Sequence, residues 1–380
     1  MIMPTNFSPA FRLLGATGMQ RSFLLLTSFL FAACATQAPS TPENPASPLA
    51  IDKSLSLPPS EPKAQPAAQV AAPTPAQVTA LRDWVSRQDR MYKVAAPLLI
   101  NNTALCKRNA RLLAGFTAKT RHSYSAEYAS VAEQALGLDD RLRVMYILPG
   151  SGADRSGLVR GDILLSLQGK PMPAGKDAER EAALQVAAAM EDRKSINLTV
   201  LRDGRQVALD VPLTRACAIG VELGDADFVN SYADGSRVMI TRGMLDYVQS
   251  DEELAYVLAK ELAHAALAQG PRPAMTAAIN GLVRYAPPAP QPKPAPGPLK
   301  PYSPVADSTA DKLALYMLVR AGYSIDDTLG FWKRLAARYP ASISNSHTEL
   351  HPASTYRFSV MNAVATAIRA KQKNRMPLLP

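Results

Sequence analysis

The chain has 380 residues, 47% of them hydrophobic and 19% charged, which is room for two ordinary domains with linkers and a real core. Lysine and arginine number 42 against 32 aspartate and glutamate, a formal charge of +10, yet the basic residues are scattered. No basic run tracks a nucleic-acid backbone and no aromatic–basic interleaving occurs, so nucleic acid is excluded as a partner; the excess charge reads as a solvated surface with weak attraction to anionic lipid or cell-wall polymer as the sharper option.

The first segment sets the compartment. Arg21 precedes an apolar run from Phe23 to Ala33, which closes on Ala32-Ala33-Cys34. A basic start, a short apolar core and small residues before the cut describe a signal peptide, and the run is too short to span a bilayer. A cysteine directly after the small pair resembles a bacterial lipobox, with Phe31 where leucine is usual, and this implies lipidation at Cys34. Ala35, with no aspartate behind the cysteine, implies a lipid anchor in the outer membrane facing the periplasm. An ordinary cut with Cys34 incidental is the alternative, and Met19 is a second candidate start. Cys106 and Cys217 are the other cysteines. In an oxidising envelope they favour a disulfide, with two buried thiols as the alternative.

Residues 35–77 are rich in Pro, Ala, Ser and Gln and lack apolar periodicity, so they read as a disordered tether. Leu81, Trp84, Val85, Tyr92 and Val94 then follow a helical rhythm, and 78–135 is expected to be a helical N-terminal part, with 107–136 ambiguous. Over 136–213 the period changes. Strands are expected at 144–148, 162–167, 196–201 and 207–211, the last two as a hairpin around Asp203-Gly204, with helices at 153–157 and 174–190. Gly150-Ser-Gly-Ala-Asp-Arg-Ser-Gly157-Leu158, Gly161-Asp162-Ile163-Leu164 and Gly169 make this stretch resemble a PDZ domain of the type attached to bacterial proteases, a small β-sandwich or barrel. That resemblance implies that Leu136-Gly137-Leu138 is a carboxylate-binding loop for a peptide that adds a strand. A PDZ fold used only for packing or as a lid is the plainer option.

Residues 214–380 are expected to be mainly helical, with a β-hairpin at 228–241 and a Pro-rich loop at 286–304. Ser250-Asp-Glu-Glu253 opens a helix and Gly270-Pro271 stops it. Leu254, Leu258, Leu262 and Ala265 form its apolar row. Within it lies Lys260-Glu261-Leu262-Ala263-His264. In HExxH two imidazoles one turn apart grip a zinc while the glutamate works on its water. Here the first histidine is Lys260. An ammonium has no lone pair and repels a dication, and stripping a lysine of its proton at neutral pH costs roughly 4–5 kcal/mol.

Downstream stand Asp307-Ser-Thr-Ala310-Asp311, Gly322-Tyr323 and His351-Pro352-Ala-Ser-Thr-Tyr-Arg357. With Asn230, Asp251-Glu-Glu-Leu-Ala255 and His264 they make the chain resemble metallopeptidase family 48, the HtpX and CAAX prenyl-protease type of gluzincin, over about 219–370. The resemblance implies a mixed α+β, mainly helical zincin-like domain with a β-hairpin edge and an inserted PDZ domain. It implies metal ligands at His264 and Asp307, the latter a glutamate in the family, with Lys260 at the lost ligand. Glu261 and His351 become the catalytic pair if the chain is active. Asp311 orients a ligand, Arg357 is a structural partner, and Asn230 with strand 237–241 forms the edge that pairs with substrate.

Two of three ligands are altered, so no cofactor is expected. Lys260 and Asp307 are expected to pair where zinc would sit. The implied function is a pseudopeptidase that binds polypeptides or envelope proteins. An active zinc endopeptidase, with His347 or His351 recruited as a ligand, and a purely structural lipoprotein are the alternatives. Plainer readings exist for single residues: His264 as a packed histidine, Glu261 as a solvent-facing residue, Asp307 and Asp311 as helix-start acids. His122 and His347 read as surface residues.

Overall fold

The computed structural model describes residues 72–282 and 297–380, all within one compact unit. The signal segment, Cys34, most of the tether and residues 283–296 of the Pro-rich stretch lie outside the described residues. No helix among the described residues is long and apolar enough to cross a membrane.

The first element is α1 (Pro75–Ile100). Thr74 accepts from the Gln77 backbone while the Gln77 side chain caps Thr74, and Pro75 occupies the first turn, so the helix starts inside the last residues assigned to the tether. Then come β1 (Ala110–Leu113), β2 (Phe116–Lys119), α2 (Ala129–Leu136), β3 (Arg143–Ile147), α3 (Gly152–Arg155), β4 (Ile163–Leu167), β5 (Lys170–Pro171), α4 (Ala178–Met190), β6 (Ser195–Arg202), β7 (Arg205–Pro212) and β8 (Thr214–Cys217). After these follow β9 (Gly220–Gly224), β10 (Ser231–Ala233), β11 (Arg237–Thr241), α5 (Arg242–Tyr247), α6 (Asp251–Leu267), α7 (Pro273–Leu282), α8 (Pro304–Ala321), α9 (Thr328–Arg338), α10 (His347–Leu350) and α11 (Thr355–Lys373). The fold is mixed α+β.

A six-stranded sheet runs β2-β3-β4-β6-β7, with β5 paired to β4. Its apolar face, with Phe116, Val144, Leu164, Leu198 and Val200, packs with Ala182 and Val186 of α4 in one core. The β6/β7 hairpin turns on Asp203 and Gly204, both at positive φ, the backbone that a tight two-residue turn requires. The expected boundary at 136 falls too late, because β2 belongs to this sheet. Its four residues carry too few alternations to declare a strand in sequence. At Gly152 the backbone comes so close to Pro212 that a Cβ would stand 1.7 Å from its carbonyl oxygen.

This β domain is inserted into a helical body through one stem. β1 pairs antiparallel with β8, Ala110 opposite Cys217, and Cys106 is bonded to Cys217 just below. Beside the stem, α1 touches the insert again: Asp89 pairs with Arg160, the Tyr92 and Tyr146 rings stand 5.0 Å apart, and Arg82 Nε donates to the Ala135 carbonyl at 3.0 Å. The body's core is helical, with Leu98, Leu254, Leu258, Leu262, Leu315 and Met361 in one cluster. A second sheet, β10-β11-β9, packs on it. The hairpin expected at 228–241 forms as β10 and β11. Strand 237–241 is not an edge, however: β11 sits in the middle, antiparallel to β10 and parallel to β9, so its backbone groups are used on both sides.

Candidate functional site

The site is built on α6, whose residues from Leu254 to Ala265 are all buried. The apolar row Leu254, Leu258, Leu262 and Ala265 lies in the core as expected. The polar face is buried as well, because α8, α10, α11 and β10 supply partners for it. Ser250 caps the helix by accepting from Glu253 N at 3.1 Å, while the Glu253 carboxylate takes the Gln249 N–H instead of closing back on Ser250. The helix ends at Leu267, short of Gly270.

α8 starts at Pro304 under the Ser303 cap and faces α6 with Asp307 and Asp311, one turn apart. Lys260 Nζ donates to Asp307 Oδ1 at 2.7 Å and to Asp311 Oδ1 at 2.8 Å. Asp307 Oδ1 also takes His264 Nε2 at 3.0 Å and His351 Nδ1 at 2.7 Å, three donors on one oxygen. Arg357, on the first turn of α11, closes the far side. It grips Asp311 through Nε and Nη2 and donates to the His351 carbonyl at 3.3 Å. Lys260, Glu261, His264, Asp307, Asp311, His351 and Arg357 are therefore brought together in one buried cluster. The solvent-facing option for Glu261 is removed, since it is fully buried.

Electrostatics follow from that packing. Burial would push the carboxyls of Asp307 and Asp311 up, but Lys260 and their other partners hold both below the usual carboxylate range, Asp307 far below it. Glu261 behaves likewise, held low by His351, His264 and Lys260 against burial. His264 is pushed down to about 4 by burial, with Lys260 adding to the shift. His351 goes the other way: burial is outweighed by Asp307 and Glu261, and its pKa is raised. His347 is driven well below its usual value by burial and by the neighbouring cations.

Sequence reasoning missed Ser231, Tyr302 and Trp332, and gave His347 only as a surface residue or, in the active-peptidase alternative, as a recruited ligand. His347, assigned to the surface, is 1% exposed, and its ring stacks on Trp332 and on His351. Ser231 donates to Glu261 Oε1 at 2.9 Å and stands 3.1 Å from His347 Nδ1. Tyr302 lies against the His264 and His351 rings, at 4.0 and 4.8 Å between centroids, and its hydroxyl takes a bond from Arg272. Trp332 receives His347 on its face, with Lys260 Nζ and Arg357 also over the ring. A stacking partner leaves no local spacing signature; only Ser231, next to Asn230 in a matched motif, carried a signal.

Other expected residues sit elsewhere. Asn230 is buried and tied inward: its Nδ2 donates to the Asn345 carbonyl at 3.0 Å and its Oδ1 accepts from Ser231 N. Leu136-Gly137-Leu138 is a helix stop. Gly137, at positive φ, spends its N–H on the Glu133 carbonyl, and Leu138 is fully buried. Leu136 instead lines a groove of about 410 Å³ with Arg82, Asp89, Arg143 and Arg160. His122 bonds Asp140 at 2.8 Å, far from the cluster in sequence and on the β domain.

A zinc ion at the family position does not fit these residues. An ammonium holds the first ligand place, and Asp307 Oδ1 is taken by Lys260 and two histidines, which leaves Oδ2 alone without a hydrogen-bond partner. Two trios still offer ligand atoms within 4.8 Å of one another: His264, Asp307 and His351, and separately Glu261, His347 and His351.

Residues 207–285 match the family model for Peptidase family M48, a span that holds Lys260, Glu261 and His264 and ends before Asp307. The M48 likeness thus rests on the α6 segment and the strands before it. No curated protein matches the chain. Among solved structures, the crystal structure of the HtrA3 PDZ domain bound to a phage-derived ligand (FGRWV) is similar at 16% identity, covering 28% of this chain and 88% of that one. Its TM-score of 0.21 is too low to carry weight.

Proposed function

We propose that the chain is an envelope lipoprotein in which a metallopeptidase-like body serves as a binding device, a pseudopeptidase that holds peptide segments or envelope proteins without cutting them. One observation carries this reading. Lys260 Nζ is bonded to Asp307 at 2.7 Å and to Asp311 at 2.8 Å, so a fixed cation stands where an imidazole would face a metal, and it keeps α6 and α8 together. The pattern around Cys34 supports the outer-membrane anchor, and the Cys106–Cys217 bond suits an oxidising compartment. For peptide capture the support is the PDZ-like sequence pattern together with β2, which among the described residues is an end strand paired with β3 alone. An extended peptide adds to such an edge by main-chain hydrogen bonds.

The test is digestion of an unfolded protein by the mature chain, with zinc and with chelator, alongside a peptide array probed with the same chain. The expected result is no cleavage and selective peptide retention. Chelator-sensitive cleavage overturns the pseudopeptidase reading, and an array with no retained peptide leaves a purely structural lipoprotein. A second reading, an active zinc endopeptidase, draws on one observation: Glu261 is held ionised 3.3 Å from His351 Nε2, the pair an acid–base step needs. The double change Lys260→His with Asp307→Glu is expected to restore metal-dependent proteolysis. Failure to gain both zinc and activity shows that more than two ligands have been lost.

A further inference from the structure

We infer that Glu261, His347 and His351 form a second, displaced metal site, built for a borderline divalent ion such as zinc and distinct from the position that Lys260 fills. This goes beyond the pseudopeptidase reading and does not depend on it.

Each of the three residues is held by one atom and bare at another. Glu261 Oε1 accepts from the Ser231 hydroxyl at 2.9 Å, while Oε2 has no hydrogen-bond partner. Ser231 has one proton and gives it to that carboxylate, so its 3.1 Å contact with His347 Nδ1 is an N–H donated to the hydroxyl oxygen. That fixes the His347 tautomer and leaves a lone pair on Nε2, which is buried and also without a hydrogen-bond partner. His351 Nδ1 is spent on Asp307 at 2.7 Å, and its Nε2 faces Glu261 at 3.3 Å without hydrogen-bond geometry.

Three unpartnered polar atoms on residues exposed by 1% or less are costly unless something joins them. Two imidazoles and a carboxylate, each oriented by a hydrogen bond on its other side, is a ligand set with its outer partners already in place. A proton on His351 serves the contact with Glu261 but leaves His347 Nε2 bare. A cation bridging all three serves every one.

In the other trio, His264, Asp307 and His351, Asp307 Oδ2 is also without a hydrogen-bond partner, 3.4 Å from Arg357 Nε, but His264 contributes no bare buried atom. His264 Nε2 and Asp307 Oδ1 are already used, on each other and on Lys260. Charge also permits the displaced site. Lys260 and Arg357 give two positive charges against three negative ones from Glu261, Asp307 and Asp311, so the cluster with neutral histidines is one charge short of neutrality. The His347 and His351 rings lie 4.3 Å apart and within 17° of parallel, so closing on an ion requires them to splay.

The test is titration of the chelator-stripped mature chain with zinc, and with cobalt(II) as a spectroscopic stand-in. The expected result is one ion per chain. Affinity should fall ~10–100-fold in Ser231→Ala, which removes only the orienting hydroxyl. It should be lost in His347→Gln and retained in His264→Gln. Binding that survives His347→Gln and vanishes with His264→Gln places the ion at the family position and overturns the inference. So does the absence of zinc binding at millimolar concentration, which means the three atoms share water. Should a variant fail to fold, the anomalous signal in cobalt-soaked crystals of the natural chain decides the same question, supporting the inference if it lies in ligand contact with His347 Nε2 and overturning it if it lies beyond reach.

Discussion

The helical body and the β domain both bury charge, but they neutralise it differently. In the β domain the sealed carboxylate of Asp162 is answered by Arg202, which stays 30% exposed, and by the Val159 N–H at 3.0 Å. Arg202 also reaches the Gly157 carbonyl, so the group fastens a turn to a strand at the rim of the sheet. In the helical body Lys260 and Arg357 are as deeply buried as the acids they serve. A sealed cluster has no water to fall back on, so losing one member strands the rest. Breaking the rim pair strands only Asp162, which keeps the Val159 N–H.

Removing Lys260 is the strongest test of that contrast. Lys260→Met leaves Asp307 and Asp311 sharing Arg357, and denaturant titration is expected to show a loss of about 3–5 kcal/mol. A loss below about 1 kcal/mol makes the cluster no different from a surface pair, and the comparison breaks. Next comes the bond at the stem. It closes a span with a sequence separation of 111, and replacing Cys106 and Cys217 by alanine is expected to cost about 3 kcal/mol. Both sulfurs sit in the helical core, so the loss should register in near-ultraviolet signals of that body before the β domain responds. Third, Arg202→Met is expected to cost about 2 kcal/mol, the worth of hydrogen bonds to one carboxylate. An equal or larger loss than that of Lys260→Met reverses the ranking of the two regions.

The smallest effect is that of pH on chelator-treated protein. His264, pushed down to about 4, and His347, also well below its ordinary value, are depressed, so below 6.5 the unfolded chain takes up protons that the folded chain refuses. Stability from these two is present above 6.5 and lost as pH falls. Asp307, Asp311 and Glu261, also depressed, add to the loss below their ordinary values near 4. His351 is raised, so its contribution is full below 6.5 and fades as pH rises through its folded value. The two depressed histidines each cost about 1 kcal/mol between pH 6.5 and 5.5 and the raised one returns at most about 0.4, a net fall of about 1.6 kcal/mol on acidification. A flat stability profile over that interval contradicts the buried-neutral assignment of His264 and His347.

Local rules made part of this legible. The helix spacing of Lys260, Glu261 and His264, the turn spacing of Asp307 and Asp311, and the hairpin around Asp203-Gly204 all rest on contacts between near neighbours in the chain. The pairing of Lys260 with Asp307 followed from charge and from a shared metal position. What was illegible depends on packing between distant segments. Tyr302 lies near the end of a Pro-rich stretch, yet its ring ends on His264 and His351. His347 looked like a surface residue until Trp332 and Ser231 closed over it. Leu136-Gly137-Leu138 carried the composition of a peptide-binding loop and of a glycine-stopped helix alike, and only the hydrogen bond from Gly137 separates the two.

The doorway of the inserted domain has a mechanical consequence. Cys106, just before β1, and Cys217, at the end of β8, stand at the entry and exit of the insert, with Cα atoms 5.9 Å apart. A protease that nicks the chain anywhere between them produces two fragments still joined as one molecule until a reductant is added. The same closeness means that a bridge of a few residues can replace the whole insert, leaving a trunk whose severed ends already meet.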